Sequence, residues 1–482
     1  MHLQTLYRVT QRVTLYLPLF SESRAPIAKH YSANNYTRCR KSQEIDDWPL
    51  AGKHHEPGGR LTRTPDSSYE NYNGNKMGIY GSWGISLSLK KHTHPTRLSN
   101  LWLRDNCRCQ KCLSPQTMQR AFDTFSLPNE IIPDEVSTEK EGLRILWPAS
   151  DGDRHISFYT WDWITKNVSS FQSKRDSNSS LYSLWDSEIE SDPPTVHHDE
   201  IMADDQGVGK WTAKIVSSIG YIDAICNPFL QRKFGFCYVE QCPVSSEKTK
   251  KLIERISFIR ETHYGGFYEF TSNLAIKDTA YTNIALPLHT DTTYFTDPAG
   301  LQMFHLLSHE QGQGGISVLV DGFKAAQMLK LQSPAEYKIL TQQPVHAHTI
   351  GNEGCTIKPA KPFPVLNVAD SADEKEPELY QIRWNNEDRG LVPLTNGNYE
   401  DVELWYSAAR NFNSIINKIS MQYRVQLEPG RPLIFDNWRV LHGRTAFTGR
   451  RKMCGAYINH DDYISRWRNT NFTRDQIHDQ IL

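Results

Sequence analysis

A separation in the sequence constrains the fold most. A His-x-Asp pair, His289 and Asp291, sits in the run PLHTDTTYF, and a second histidine, His442, follows far downstream at the end of the apolar run in FDNWRVLHGRTAFTGRR. In a strand, residues i and i+2 share a face, so His289 and Asp291 are expected to project together while Thr290 turns away. Two imidazoles and one carboxylate on one face leave three positions of an octahedral ion open, a donor set suited to a non-haem Fe(II) oxygenase. The two sequence-distant strands must then lie side by side, which a jelly roll achieves. An isolated His-x-Asp is also compatible with a hydrogen-bonded surface strand, so the third ligand carries the weight of the argument.

The rest of the chain fits such a fold. FGFCYVE, LQMFHLL, ISVLVDGF and RPLIFDNW are short β-branched and aromatic runs bounded by turn residues, whereas TAKIVSSIGYIDAICN and SSEKTKKLIERISFIRETHYG have helical spacing. They predict a mainly β catalytic domain over 211–482, a double-stranded β-helix (jelly roll) with flanking helices. MGIYGSWGISLSL, TRLSNLWLRDNC and GLRILWP are strand-like and predict a small β-rich domain over 76–168. Between them, 169–210 is Ser-rich and then acidic, the composition of an insertion or linker. Gly, Pro and His dominate 44–75, which also reads as a linker.

Composition excludes some partners. Lys+Arg of 54 against Asp+Glu of 55 leaves no basic excess to track a phosphate backbone, so nucleic acid is not an expected partner. No apolar run is long enough for a membrane span, and Pro18 interrupts VTLYLPLF. Nine cysteines, three of them packed between 107 and 112, are unlike a secreted disulfide framework. Over 1–43, Arg8, Arg12, Arg24, Lys29, Arg38, Arg40 and Lys41 face a single acid, Glu22, among Ser, Thr and apolar residues. That composition predicts a mitochondrial presequence, the alternative being a basic tail.

DNCRCQKC supplies Cys107, Cys109 and Cys112, and His155 follows in GDRHISF. Three thiolates and an imidazole satisfy tetrahedral Zn²⁺, and a closed site of that kind stabilises a domain with a modest core. The alternative is three free thiols. Downstream of His442, Arg451 stands beside Arg450. A guanidinium pairs with a carboxylate through two parallel hydrogen bonds, so Arg451 in the barrel is expected to anchor the far end of 2-oxoglutarate while its keto acid end chelates iron. Two solvated surface arginines would look the same in sequence.

DTAYTNIALPLHTDTTYF, LVDGF, IRWNN and FDNWRVLHGRTAFTGRRKMCGAY together resemble the Fe(II)- and 2-oxoglutarate-dependent dioxygenases of carnitine biosynthesis, the gamma-butyrobetaine and trimethyllysine dioxygenase family. The resemblance covers about 76 to 465, and its densest blocks look closer to the trimethyllysine branch. It implies iron on His289, Asp291 and His442, and 2-oxoglutarate on Arg451 with help from the Ser317 hydroxyl, where the family has threonine. It implies structural zinc on Cys107, Cys109, Cys112 and His155. A quaternary ammonium substrate is implied too, caged by Tyr264, Tyr268, Tyr281 and Tyr457, with Tyr268 replacing the family's usual Trp. Rings suit that task because a trimethylammonium cannot donate a hydrogen bond and is held by π faces. Any one of these tyrosines could equally be packed in the core.

Asn385 in IRWNN is expected at the polar end of the substrate, ahead of Asn386, and Asp278 is expected to add negative charge near the cation. The implied reaction converts trimethyllysine to 3-hydroxytrimethyllysine, with O₂ consumed, 2-oxoglutarate decarboxylated to succinate, and ascorbate maintaining the iron. The alternative within the family is gamma-butyrobetaine hydroxylation to carnitine. Outside it stand a hydroxylase for a small carboxylate or sulfonate, which would lack the cage, and a zinc-stapled module binding a methylated ligand without chemistry, which would need no iron ligands. Family analogy further implies a homodimer in the mitochondrial matrix.

Overall fold

A computed structural model describes residues 76–81, 84–89, 95–128, 130–148, 154–168, 183–216, 234–271, 282–351, 354–369, 377–394 and 399–481. The expected presequence over 1–43, the 44–75 linker, residues 169–182, Asp278 and Tyr281 lie outside them. The chain divides into two units, Met1–Ile164 and Thr165–Leu482.

The first unit holds two antiparallel three-stranded sheets. One is β1 (Lys76–Gly81), β2 (Gly84–Ser88) and β3 (Thr96–Leu98). The other is β4 (Glu135–Thr138), β5 (Gly142–Trp147) and β6 (His155–Thr160). Period-2 alternation buries Leu143, Ile145 and Trp147 of β5 completely, and the Trp147 indole N–H donates to Ser157 Oγ at 2.9 Å, so the ring is buried without an orphaned donor. TRLSNLWLRDNC departs from its strand-like pattern. After β3 a helix spans Asn100–Asp105, because the Ser99 hydroxyl accepts the Trp102 N–H and caps it.

The second unit is built on two sheets. The smaller has the order β10–β17–β12–β15, from β10 (Leu286–His289), β12 (Ser317–Asp321), β15 (Tyr423–Val425) and β17 (Val440–Arg444). The larger has the order β7–β8–β16–β11–β18–β9, from β7 (Thr195–His197), β8 (Phe236–Glu240), β9 (Tyr268–Thr271), β11 (Leu301–Glu310), β16 (Leu433–Asp436) and β18 (Arg450–Ile458). A hairpin, β13 (Leu366–Val368) with β14 (Leu379–Ile382), forms a separate two-stranded sheet whose Leu366, Leu379 and Ile382 pack in one cluster with Val318, Val320 and Leu441 of the smaller sheet.

Alternation sorts the side chains into three layers. Phe236 and Tyr238 of β8, Leu433 and Phe435 of β16, Leu319 of β12, Val440 of β17 and Met453 of β18 meet in one cluster between the sheets. Their neighbours Cys237, Val239, Ile434, Ala456 and Ile458 face outward, where they pack with Trp211, Leu252 and Trp467 of flanking helices. Outside the smaller sheet, Val318, Val320 and Leu441 pack with Phe323, Leu329 and Phe412 of other helices. Two sheets packed face to face with helices outside form the expected double-stranded β-helix.

Residues 183–210 differ from the insertion or linker expected over 169–210. Trp185 joins the inter-sheet cluster, β7 pairs in parallel with β8, and a helix over Asp205–Ile215 is capped by Asp204, whose carboxylate accepts from the Gln206 and Gly207 N–H groups. Of the acidic residues that suggested a solvated linker, Asp186, Glu188, Asp199, Glu200, Asp204 and Asp205 are N-cap or first-turn groups, placed where helix N-termini favour negative charge.

Candidate functional site

β10 and β17 are antiparallel neighbours, and His289 and His442 are directly opposite in the register. Their ring centroids are 4.3 Å apart. Asp291 is not on the strand, since β10 ends at His289 and Asp291 stands in the turn beyond it. The turn is pinned through Thr290, whose N–H donates to the Trp384 carbonyl at 2.7 Å and whose hydroxyl accepts the Trp384 N–H at 3.0 Å. Asp291 Oδ1 comes to 3.2 Å from His289 Nε2 and 3.8 Å from His442 Nε2. Ligands about 2.1 Å from an octahedral ion stand about 3 Å apart when adjacent. The donor set therefore fits a divalent ion of the Fe(II) class with modest adjustment. His289 Nδ1 donates to the Pro287 carbonyl at 2.8 Å and so turns Nε2 toward the ion position. Without an ion, burial works to lower the His289 pKa but Asp291 outweighs it and raises the value, so Nε2–H donates to the carboxylate, and an incoming metal displaces that proton.

Burial works to raise the Asp291 carboxyl, but the His289 hydrogen bond and the adjacent imidazole charges override it and hold the group well below the usual carboxylate range. Burial, with the positive charge of His289 added, pushes His442 down to about 3. An ionised carboxylate and a neutral imidazole are the forms that bind a metal.

Two residues support Asp291. Tyr457, on the inward face of β18, donates from Oη to Asp291 Oδ2 at 2.7 Å. Asn437, 1% exposed, brackets the Asp291 main chain: its Oδ1 accepts the Asp291 N–H at 2.7 Å and its Nδ2 donates to the Asp291 carbonyl at 3.0 Å.

Arg451 lies on the same inward face of β18 as Met453 and Tyr457, about 20 Å along the strand from Tyr457 at about 3.3 Å per residue. It is 3% exposed, its guanidinium is 5.1 Å from the Phe447 ring, and no carboxylate pairs with it among the described residues. Burial pushes it down to about 10, so it stays charged at neutral pH. Gly315, at φ +69°, makes room, since a Cβ there would lie 3.2 Å from Arg451 Nη1. A buried, charged fork without an anion is built to receive one. Arg444 shares the Phe447 ring at 4.8 Å, but its guanidinium donates to the Thr282 and Ile284 carbonyls at 2.7 and 3.0 Å. Ser317 shares a face of β12 with the inward-facing Leu319 and stands opposite Arg444 in the register.

Of the expected cage, Tyr264, Tyr268 and Tyr457 are brought together around Ala299 and Phe270, with the Tyr268 and Tyr457 centroids 5.8 Å apart. Gly455 sits opposite Tyr268 in the register, and a Cβ on it would come to 2.9 Å from the Tyr268 ring and hydroxyl. Tyr294 extends the cluster, its hydroxyl 3.3 Å from that of Tyr264.

Asn385 and Asn386 lie in a turn beyond β14 rather than on a strand. Asn385 lines a cavity of about 350 Å³ that reaches His289, yet its amide serves its own turn, with Nδ2 donating to Asp388 Oδ2 at 2.7 Å and Oδ1 accepting the Glu387 N–H at 3.0 Å. The Asn386 side chain accepts from Arg389 Nε at 3.3 Å.

In the first unit, the sulfurs of Cys107, Cys109 and Cys112 lie 3.3, 3.8 and 3.4 Å from His155 Nε2. Tetrahedral zinc with Zn–S of about 2.3 Å and Zn–N of about 2.1 Å requires S···N edges of about 3.6 Å. The four groups therefore fit zinc as they stand. The hydrogen bond with Cys112 holds the Cys107 thiol down at about 4, and Arg104 donates to Cys112 Sγ at 3.1 Å.

Sequence reasoning did not single out Asn437, Arg444, Gln302 or Tyr294. Asn437 and Arg444 lie inside the block quoted for His442, and a polar residue at the hinge between two apolar strands was the available signal.

Comparison with known proteins gives concordant relationships. The family model for taurine catabolism dioxygenases (TauD, TfdA family) matches residues 229–457, and that for the gamma-butyrobetaine hydroxylase-like N-terminal region matches 86–165. Trimethyllysine dioxygenase of Neurospora crassa is 46% identical over 415 residues, covering 79% of this chain and 82% of that protein. The human mitochondrial trimethyllysine dioxygenase is 37% identical over 375 residues, 77% of this chain and 82% of that protein. Gamma-butyrobetaine dioxygenase of Pongo abelii is 26% identical over 379 residues, covering 76% and 89%. With its jelly-roll fold, its His, Asp and His cluster and this degree of identity along most of its length, the chain belongs to the trimethyllysine dioxygenase family.

Proposed function

We propose that the protein hydroxylates N-trimethyllysine at its β carbon, giving 3-hydroxytrimethyllysine, the first step toward carnitine. One contrast carries this reading: 46% identity to a trimethyllysine dioxygenase against 26% to a gamma-butyrobetaine dioxygenase, over comparable stretches. Fe(II) with 2-oxoglutarate and O₂ supplies the oxidant for an unactivated C–H bond, the cosubstrate leaving as succinate and CO₂.

The chain's own residues position the reactants. His289, Asp291 and His442 would hold the iron from one side, and Arg451 would take the distal carboxylate of 2-oxoglutarate, with the Ser317 hydroxyl assisting. Tyr264, Tyr268 and Tyr457, joined by Tyr281, would face the trimethylammonium, each desolvated ring contributing up to about 2 kcal/mol. Asp278 and Asn385 would meet the polar end. Held at both ends, the substrate presents one carbon to the metal, and that restriction is the protein's main contribution to rate. Cys107, Cys109, Cys112 and His155 would hold a structural zinc, four protein ligands leaving no open position for chemistry.

Ascorbate dependence and a homodimer follow from the family resemblance. A mitochondrial matrix location is supported by the basic 1–43 segment and by the mouse and human relatives, both called mitochondrial. The test is a paired assay with Fe(II), 2-oxoglutarate and ascorbate, offering trimethyllysine and gamma-butyrobetaine separately. A product about 16 Da heavier from trimethyllysine, the mass of one oxygen atom, is expected. Turnover of butyrobetaine alone would move the protein to the last step of the pathway.

A further inference from the structure

The two oxygens of the Asp291 carboxylate have different surroundings. Oδ1 faces both imidazoles, at 3.2 and 3.8 Å. Oδ2 accepts the 2.7 Å hydrogen bond from Tyr457 Oη. Behind Tyr457, Gln302 is 2% exposed, and its Nε2 donates to the same phenol oxygen at 3.4 Å. A donor on that lone pair leaves the phenol's own proton for Asp291. Asn437 fixes the Asp291 main chain from the segment between β16 and β17, so side chain and backbone are held from separate elements.

We infer that Tyr457 is a positioning residue of the metal centre: its hydroxyl holds Asp291 Oδ2 away from the ion so that Oδ1 alone is presented. A carboxylate free to turn can ligate through both oxygens. The second oxygen would then occupy one of the three positions that the facial set otherwise leaves open. Because the Tyr457 ring also walls the aromatic cluster, 5.8 Å from Tyr268, one residue joins the cation pocket to the metal centre. The inference rests on His289, Asp291 and His442 being the metal ligands, and it goes beyond the cage role by assigning the hydroxyl a task separate from the ring's.

Tyr457→Phe separates the two tasks, because it keeps the ring and removes only the hydroxyl. With the cysteine-rich site loaded with zinc, Mn(II) is titrated into the full-length protein and the free ion is followed by electron paramagnetic resonance. Outer-sphere partners of metal ligands are worth about 10- to 100-fold in affinity, so the Mn(II) affinity of the variant is expected to shift from wild type by at least about 10-fold. Tetramethylammonium binding, measured by NMR titration, is expected to stay within about threefold of wild type because the ring face remains. The thermal midpoint, measured in parallel, identifies any general loss of structure. Unchanged Mn(II) affinity in Tyr457→Phe, with His289→Ala abolishing binding, overturns the inference. Unchanged affinity in His289→Ala as well would instead remove the ligand assignment beneath it.

Discussion

Arg451 offers the sharpest perturbation. Replacing it with Gln removes a buried guanidinium that no carboxylate partners among the described residues and that rests 5.1 Å from Phe447. If its anion is the distal carboxylate of 2-oxoglutarate, the lost charge-assisted hydrogen bonding is worth about 1.5 to 3 kcal/mol, or about 10- to 150-fold in binding. The KM for 2-oxoglutarate is therefore expected to rise by that factor, measured as succinate formation at saturating trimethyllysine, while Mn(II) affinity stays at the wild-type value. Arg451→Lys keeps the charge and loses the fork, so it should fall between. An unchanged KM in Arg451→Gln would refute the reasoning. A KM that responded only to Arg444→Met would transfer the role to the neighbour, whose bonds to the Thr282 and Ile284 carbonyls mark it as a brace.

Three further outcomes follow from other parts of the structure. Arg439 and Asp321 form a fully buried, two-bond ion pair, 2.9 and 2.7 Å, so Asp321→Asn strands a guanidinium at a cost of about 3 to 5 kcal/mol. The thermal midpoint of the second unit should drop by about 4 to 8 °C, and a drop under about 2 °C would mean the pair is not closed in solution. Cys109→Ser should bring the zinc content measured by atomic emission well below one per chain and give the N-terminal unit its own earlier melting transition; full zinc retention would contradict the four-ligand site. His305, buried between Thr249 Oγ1 at 2.6 Å and the Gly430 N–H at 3.0 Å, is pushed down to about 4 by burial. Its folded-state value is depressed, so it contributes stability that is fully present above its ordinary value near 6.5 and is lost as pH falls through about 4, roughly 3 kcal/mol in all. Melting midpoints between pH 7 and 4.5 should fall less steeply in His305→Gln than in wild type, and parallel curves would contradict the assignment.

Much of the candidate site was legible because each cluster of potential metal donors is carried by local patterns that the fold only had to juxtapose. His289 and His442 meet because β10 and β17 are neighbours, a pairing that the third-ligand argument required in advance. Asp291 reached the site by another route, through a turn pinned by Thr290 and Asn437 rather than through strand alternation. The cluster of Cys107, Cys109, Cys112 and His155 was legible because three thiols in one short segment have few other uses. What escaped notice was support given at a distance. The value of Asn437 depends on a hydrogen bond across 146 positions, and that of Gln302 on reaching a phenol 155 positions away. Local pattern carries no trace of such bonds. The 183–210 stretch misled for a related reason, since acidic residues that cap helices and acidic residues that solvate a linker have the same composition.

The most direct test of the central claim follows the oxygen atoms. Turnover of trimethyllysine under ¹⁸O₂ is run with Fe(II) and 2-oxoglutarate, and both products are weighed. The account predicts one heavy oxygen in succinate and one in hydroxytrimethyllysine, the latter about 18 Da heavier than its substrate. Unlabelled hydroxylated product, or succinate formed at the same rate without trimethyllysine, would contradict it.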